Sequence, residues 1–166
     1  MRVGPVYITD SKAVPLLIPE YMDGSLDELQ LFTGSFGGQT FSSLAYIQAD
    51  QSGLSITLLN DMGMDMGILS YGGKNVSFSS PYFPKNVKAE YIVLDIQHAY
   101  YAVPALMMLY DVAEGLSFSC TNENGKEIRR VLDGDSIVEE IVKDGDAVTI
   151  TNLFRGYRYE LRKVEE

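Results

Sequence analysis

Few residues in this chain could do chemistry, and their spacing leaves them little to do together. His98 is the sole histidine and Cys120 the sole cysteine. A nucleophile–base–acid triad needs a serine or cysteine beside the histidine and a carboxylate behind it. His98 stands in Asp95-Ile96-Gln97-His98, but no Gly-x-Ser-x-Gly pattern occurs. A hydrolase using His98 with Asp95 would therefore lack both a nucleophile motif and an oxyanion motif. His98 reads as a structural or surface histidine. One cysteine forbids a disulfide within the chain, and one histidine with one cysteine leaves no zinc constellation. No metal and no cofactor are expected. Cys120 lies in Phe118-Ser119-Cys120-Thr121, a strand-like context in which a free thiol reads as a small apolar core residue.

Two glycine-bearing patterns imitate binding loops. Gly34-Ser35-Phe36-Gly37-Gly38 matches neither the dinucleotide fingerprint nor a lysine-terminated phosphate loop, so its glycines belong to a hairpin. Asp133-Gly134-Asp135 and Asp144-Gly145-Asp146 lack the continuation and terminal glutamate of a calcium loop. They are turns.

The patterning that remains suggests binding. Leu54, Ile56 and Leu58 alternate with Ser55, Thr57 and Leu59. After an Asn60-Asp61 corner, Met62, Met64, Met66 and Ile68 alternate with Gly63, Asp65, Gly67 and Leu69. Period-two alternation sends each set to one face of a sheet. Methionine adapts to irregular contents, so the stripe could wall a cavity under a helical cover. The candidate lining is Ile56, Leu58, Met62, Met64, Met66, Ile68, Phe78, Tyr91, Ile92, Tyr101, Leu106 and Met107. A solid core is the alternative.

The elements that must carry these residues follow from the turns. The first 28 residues, with Pro5, Pro15 and Pro19, read as irregular or partly helical, and Ser25 to Glu28 as a turn or helix start. From Leu29 a run of strands and tight turns predicts an antiparallel meander as far as Ser79. Residues 84–113 change period and read as a helical cover. Within it Glu90–Tyr100 fits either helix or strand and is read as helix, and Ala105–Val112 is predicted to be a helix with Pro104 in its first turn. A second meander begins at Leu116. Ser136–Lys143 has a helical face in Ile137, Val138, Ile141 and Val142, but its length between two Asp-Gly turns favours strand. About ten strands result, and an open twisted sheet that wide tends to curl. The predicted class is mainly β with a helical insert (α+β), in one domain spanning 1–166.

Composition removes several partners. The chain is globular, with 46% hydrophobic and 22% charged residues. Its net charge of −10, from 13 basic and 23 acidic side chains, disfavours nucleic acid and anionic lipid. Membrane contact would have to be apolar or made through an attached lipid. No run of eighteen apolar residues exists. Met1-Arg2-Val3-Gly4-Pro5 opens no signal peptide, which implies a cytoplasmic chain or one whose export signal has been cut.

Several segments together resemble a family of bacterial outer-membrane lipoproteins with the architecture of the lipoprotein-sorting carriers LolA and LolB. They are Gly34–Phe41, Leu58–Met64, Tyr91–Gln97 with its leucine-aspartate-x-glutamine run, Gly125–Ile141 and Tyr157–Leu161. Members often accompany aryl-polyene and fatty-acid-type biosynthesis genes. The chain departs from the pattern in lacking the lipid-attachment cysteine with its signal. The usual tryptophan-proline pair is also missing, and Val103-Pro104 stands nearby. The resemblance implies a curved antiparallel half-barrel covered by helices, a hydrophobic cavity, and a setting at the periplasmic face of the outer membrane. It also implies a monomer, joined to the membrane by an N-terminal lipid. The expected function is a non-catalytic carrier or receptor for a lipid, acyl or lipoprotein ligand. The alternative is a structural or assembly lipoprotein with a solid core and a protein-binding surface.

Overall fold

The computed structural model describes residues 4–80 and 88–164. A small hairpin, β1 (Val6–Tyr7) and β2 (Ala13–Val14), is followed by a 3-10 turn at Pro19–Tyr21. The first meander is β3 (Leu26–Phe36), β4 (Gln39–Asp50), β5 (Gly53–Leu59), β6 (Asp65–Tyr71) and β7 (Val76–Ser79). Two helices come next, α1 (Ala89–Tyr100) and α2 (Val103–Asp111). The second meander is β8 (Leu116–Glu123), β9 (Lys126–Asp133), β10 (Ser136–Asp144), β11 (Ala147–Asn152) and β12 (Tyr157–Lys163). The predicted helix at 90–100 and strand at 136–143 are both present. Residues 84–87 of the predicted cover lie outside the described residues.

All ten meander strands form one antiparallel, curved and unclosed sheet in the order β7-β6-β5-β4-β3-β12-β11-β10-β9-β8. The two five-strand meanders meet at its centre, where β3 pairs with β12 (Leu161 opposite Phe32, Tyr159 opposite Gly34). The helices connect one outer edge to the other, with α1 touching β7 and α2 touching β8. They pack on the inner face, where Ile47, Ile56, Leu58, Ile150 and Leu161 are buried.

Aromatic stacking holds the central seam. The Tyr159 ring lies 5.0 Å from that of Phe32 and 5.7 Å from that of Phe36, and Phe36 stacks on Tyr157 at 5.5 Å. Gly34 makes this possible, because a Cβ there would sit 2.5 Å from Tyr159 Cβ. It serves strand packing, whereas Gly37 and Gly38, with φ of +58° and +84°, make the turn.

The methionine stripe is corrected by this structure. Met62 and Met64 precede β6 and are 84% and 59% exposed. Asn60 is the cause: its side-chain oxygen accepts hydrogen bonds from the backbone N–H groups of both Met62 and Met64, at 2.9 Å each. That folds the segment into a turn, so alternation cannot run through it. Leu58 pairs with Gly67 and Leu59 with Asp65, leaving Met66 as the extra residue of a bulge, half-buried. Beyond it Leu69 and Tyr71 face inward, and Ile68 is exposed on the outer face. Met107 is exposed on the outer side of α2. The remaining candidates lie inside or at the margin. Ile56, Leu58, Ile92, Tyr101 and Leu106 are buried, while Phe78 and Tyr91 are half-buried against the core.

Two smaller expectations change as well. Strand β3 begins at Leu26, so Leu26–Glu28 is strand rather than turn or helix start. Cys120 is only half-buried, opposite Arg129 on β9.

Candidate functional site

Helix α1 is buried continuously from Ile92 to Ala99. Five of those eight residues are apolar; Asp95, Gln97 and His98 are not, and a buried polar side chain must find partners. Each one does.

Gln97 holds the N-terminal segment across the helix. Its side-chain oxygen accepts from Leu17 N–H and its amide donates to Leu17 C=O, both at 3.0 Å. Tyr71 also donates to Leu17 C=O, at 3.0 Å. The segment is thereby a strap over α1, fixed again where Met22 bridges Tyr101.

Asp95 faces the seam. Its Oδ2 accepts hydrogen bonds from Tyr157 at 2.7 Å and Tyr159 at 2.9 Å. The two family-like segments, Tyr91–Gln97 and Tyr157–Leu161, therefore meet at this carboxyl.

His98 pairs with Glu139 of β10 rather than with Asp95 as its carboxylate partner. Nδ1 donates to Glu139 Oε1 at 2.7 Å, and Nε2 accepts from the Tyr110 hydroxyl of α2 at 2.5 Å. Asn152 donates to the other Glu139 oxygen at 3.1 Å. The helix end rests on two cations of the sheet. Arg129 donates to the carbonyls of His98 (3.0 Å) and Tyr101 (2.8 Å), and Lys143 to that of Ala99 (2.9 Å). Basic groups here satisfy orphan carbonyls and complement the helix dipole.

Burial sets the protonation of this cluster. Loss of solvent, and then the Glu139 charge, hold the Asp95 carboxyl well above the usual carboxylate range. Burial also raises Glu139. Burial pushes His98 down to about 4, against the pull of Asp95. The Tyr110, Tyr157 and Tyr159 hydroxyls are pushed up by burial first and by the carboxylates second. At neutral pH the imidazole is uncharged and the phenols remain donors.

Tyr110–His98–Glu139 has the connectivity of a hydroxyl–imidazole–carboxylate relay. Tyr110 is fully buried and its hydroxyl is made less acidic, so the relay lacks both an activated nucleophile and a route to substrate. Asp95, His98 and Glu139 also bring three ligand-type atoms within 4.8 Å of one another. Two donors on one tetrahedral ion at about 2.0–2.2 Å would stand about 3 Å or more apart. The 2.7 Å between His98 and Glu139 is instead hydrogen-bond length.

Beside the cluster lies a pocket whose enclosed space is about 10 Å³, room for about one water. Leu94, Val131 and Val138 form apolar walls, and Asp95, His98, Glu139 and Asn152 form a polar floor. Val6 and Ile8 of the strap close it, while Arg155 donates to Tyr7 C=O at 2.7 Å and stacks over Tyr91 at 4.0 Å. Of the predicted lining residues this pocket includes only Tyr91. Sequence reasoning missed Glu139, Asn152 and Tyr110. The alternation of Glu139 with Ile141 was the available signal, since both point inward on β10.

Among the described residues no helix is long and apolar enough to cross a membrane. No curated protein matches the chain. A family model does match, over residues 27–165, which takes in all but the first residue of the sheet and both helices and leaves out the strap. The chain thus belongs to DUF3261, a family of proteins of unknown function.

Proposed function

We propose that this chain is a non-catalytic carrier or receptor for a lipid, acyl or acylated-protein ligand, with a LolA/LolB-like helix-covered half-barrel. The observation that carries the reading is the cover itself. A curved ten-stranded sheet keeps both edges unclosed, and its inner face is covered by two short helices and a strap rather than by a second sheet. Tyr91–Gln97 and Tyr157–Leu161, two of the segments that resemble the outer-membrane lipoproteins, lie in α1 and at the seam. The periplasmic face of the outer membrane is the proposed setting. Met62 and Met64 on the β5–β6 turn and Leu153 and Phe154 on the β11–β12 turn support it, being exposed apolar tips at the same end of the sheet.

As folded, the interior is closed, so a ligand enters as strap or cover shifts. A twelve-methylene chain gains about 10 kcal/mol gross at about 0.8 per methylene. Association costs of about 4–15 kcal/mol then leave a modest net affinity, suited to release. The test is native mass spectrometry of protein purified without detergent from a lipid-containing host. Acyl-ligand adducts are expected. An apo mass, with no binding of a lipopeptide or of dodecyl probes of any head group, overturns the reading.

The second reading, an assembly protein with a solid core, draws on the same 10 Å³ void, far below the about 300 Å³ of ordinary ligand pockets. Affinity capture from native envelopes tests it, and recovery of no protein partner removes it.

A further inference from the structure

The pocket beneath the strap has a polarity that selects among ligands. Asp95 accepts hydrogen bonds from Tyr157 and Tyr159, Glu139 accepts from His98 and Asn152, and the two carboxyls also hydrogen-bond each other. A carboxylate offers about four acceptor positions, so the floor keeps acceptor capacity. Its nearby donors are engaged: the His98 Nδ1–H faces Glu139, Arg129 is turned toward the helix carbonyls and Glu127, and Arg155 at the rim bonds Tyr7 C=O and stacks on Tyr91. The neutral imidazole adds no positive charge. Above this floor the chain already seats apolar groups of its own, Val6 and Ile8, which are 2% and 6% exposed against Leu94, Val131 and Val138. The strap lies outside the matched 27–165 region. It is held by the Lys12–Asp133 ion pair and the Arg155–Tyr7 hydrogen bond, both part-exposed or exposed.

We propose that this pocket is the head-group site of an amphiphile carrying a primary ammonium, with Asp95 and Glu139 taking its N–H donors and its alkyl chain replacing Val6 and Ile8. The inference rests on the carrier reading and names its ligand class. An ammonium supplies up to three donors and places a positive charge directly on the two carboxyls. A fatty-acid carboxylate brings a third acidic group beside Asp95 and Glu139, and is disfavoured. Groups facing the site come from every packed element: Asp95 and His98 of α1, Tyr110 of α2, Arg129 of β9, Glu139 of β10, Tyr157 and Tyr159 of β12, and Arg155 of the β11–β12 turn. Binding an ammonium favours ionised Asp95, so uptake releases a proton.

The experiment is calorimetric titration of the full chain with dodecylammonium, dodecanol and dodecanoate below their micelle concentrations, in two buffers of different ionisation heat. Dodecylammonium is expected to bind at least tenfold tighter than dodecanoate, with proton release. Glu139→Gln and Asp95→Asn, each checked for native circular dichroism, are expected to reduce that preference to under threefold. Equal binding of all three probes overturns the head-group inference and leaves the carrier reading standing. A preference that survives in both variants reflects the acidic surface and also overturns it. Binding of none of the three by folded protein overturns both readings.

Discussion

Gln97 and Leu17 are 80 residues apart, yet their groups pair as two strand residues would, through two 3.0 Å hydrogen bonds. The side chain of a helical residue thus stands in for an absent strand and gives the strap its register. Gln97→Ala removes both bonds and strands the Leu17 amide under the strap. A loss of about 1–3 kcal/mol is expected. Urea denaturation measures it, and amide exchange should speed at Leu17 before it speeds in the sheet.

His98 is the only imidazole, so its titration is unambiguous by NMR. Its resonances should show Nδ1 protonated and Nε2 bare, with no further protonation until the pH nears 4. The sign follows from linkage. A base whose folded value lies below its unfolded 6.5 contributes stability above pH 6.5, lost as pH falls toward 4. The loss amounts to about 3 kcal/mol at 1.36 kcal/mol per pH unit. Constant stability across that window would show that His98 is charged in the fold.

Asp95 acts in the opposite sense. A raised carboxyl contributes stability below its unfolded value that is lost as pH rises through the folded one. Asp95→Asn keeps an acceptor for Tyr157 and Tyr159 without the charge. Its stability should fall less than that of the native chain between mildly acidic and alkaline pH, as read from urea midpoints across that range.

Gly34→Ala should open the seam. The added methyl meets Tyr159 Cβ at 2.5 Å and the Arg158 carbonyl oxygen at 2.7 Å, neither of them a flexible side-chain end. A destabilisation of about 1–3 kcal/mol is expected, with altered near-ultraviolet tyrosine dichroism. Unchanged stability would mean that β3 and β12 lie further apart than described.

Met64→Leu, by contrast, should shift stability by under about 0.5 kcal/mol, because the side chain is mostly in water. Mild peroxide should oxidise Met62, Met64 and Met108 before Met22 and Met66, as read by peptide mass mapping, following their exposure.

The alternation of Leu54, Ile56 and Leu58 made β5 readable, and the clean Tyr157–Tyr159–Leu161 pattern did the same for β12. Legibility ended where a side chain captured backbone groups, as Asn60 does, or where a bulge shifted parity, as at Met66. The site was harder still. Glu139 points inward beside a bulge between Ile137 and Glu139, and its pairing with His98 spans 41 residues. Local period cannot reveal such a contact, and polarity argues against placing a glutamate inside. Asp95 and Gln97 were visible as part of a resemblance, but their partners, Tyr157, Tyr159 and Leu17, come from the two ends of the chain.

The pairing of β3 with β12 has a consequence for how the molecule is made. Its central contact joins the first strand of the sheet to the last, so the seam waits until synthesis has reached Lys163. Each meander can pair locally as it emerges, but neither half has the other's aromatic rings to stack on. Contacts that distant in sequence slow folding, and until they form both halves expose unpaired central edges that invite association between chains. A truncation of a few residues within β12 should therefore yield two mispaired half-sheets rather than a slightly weakened whole.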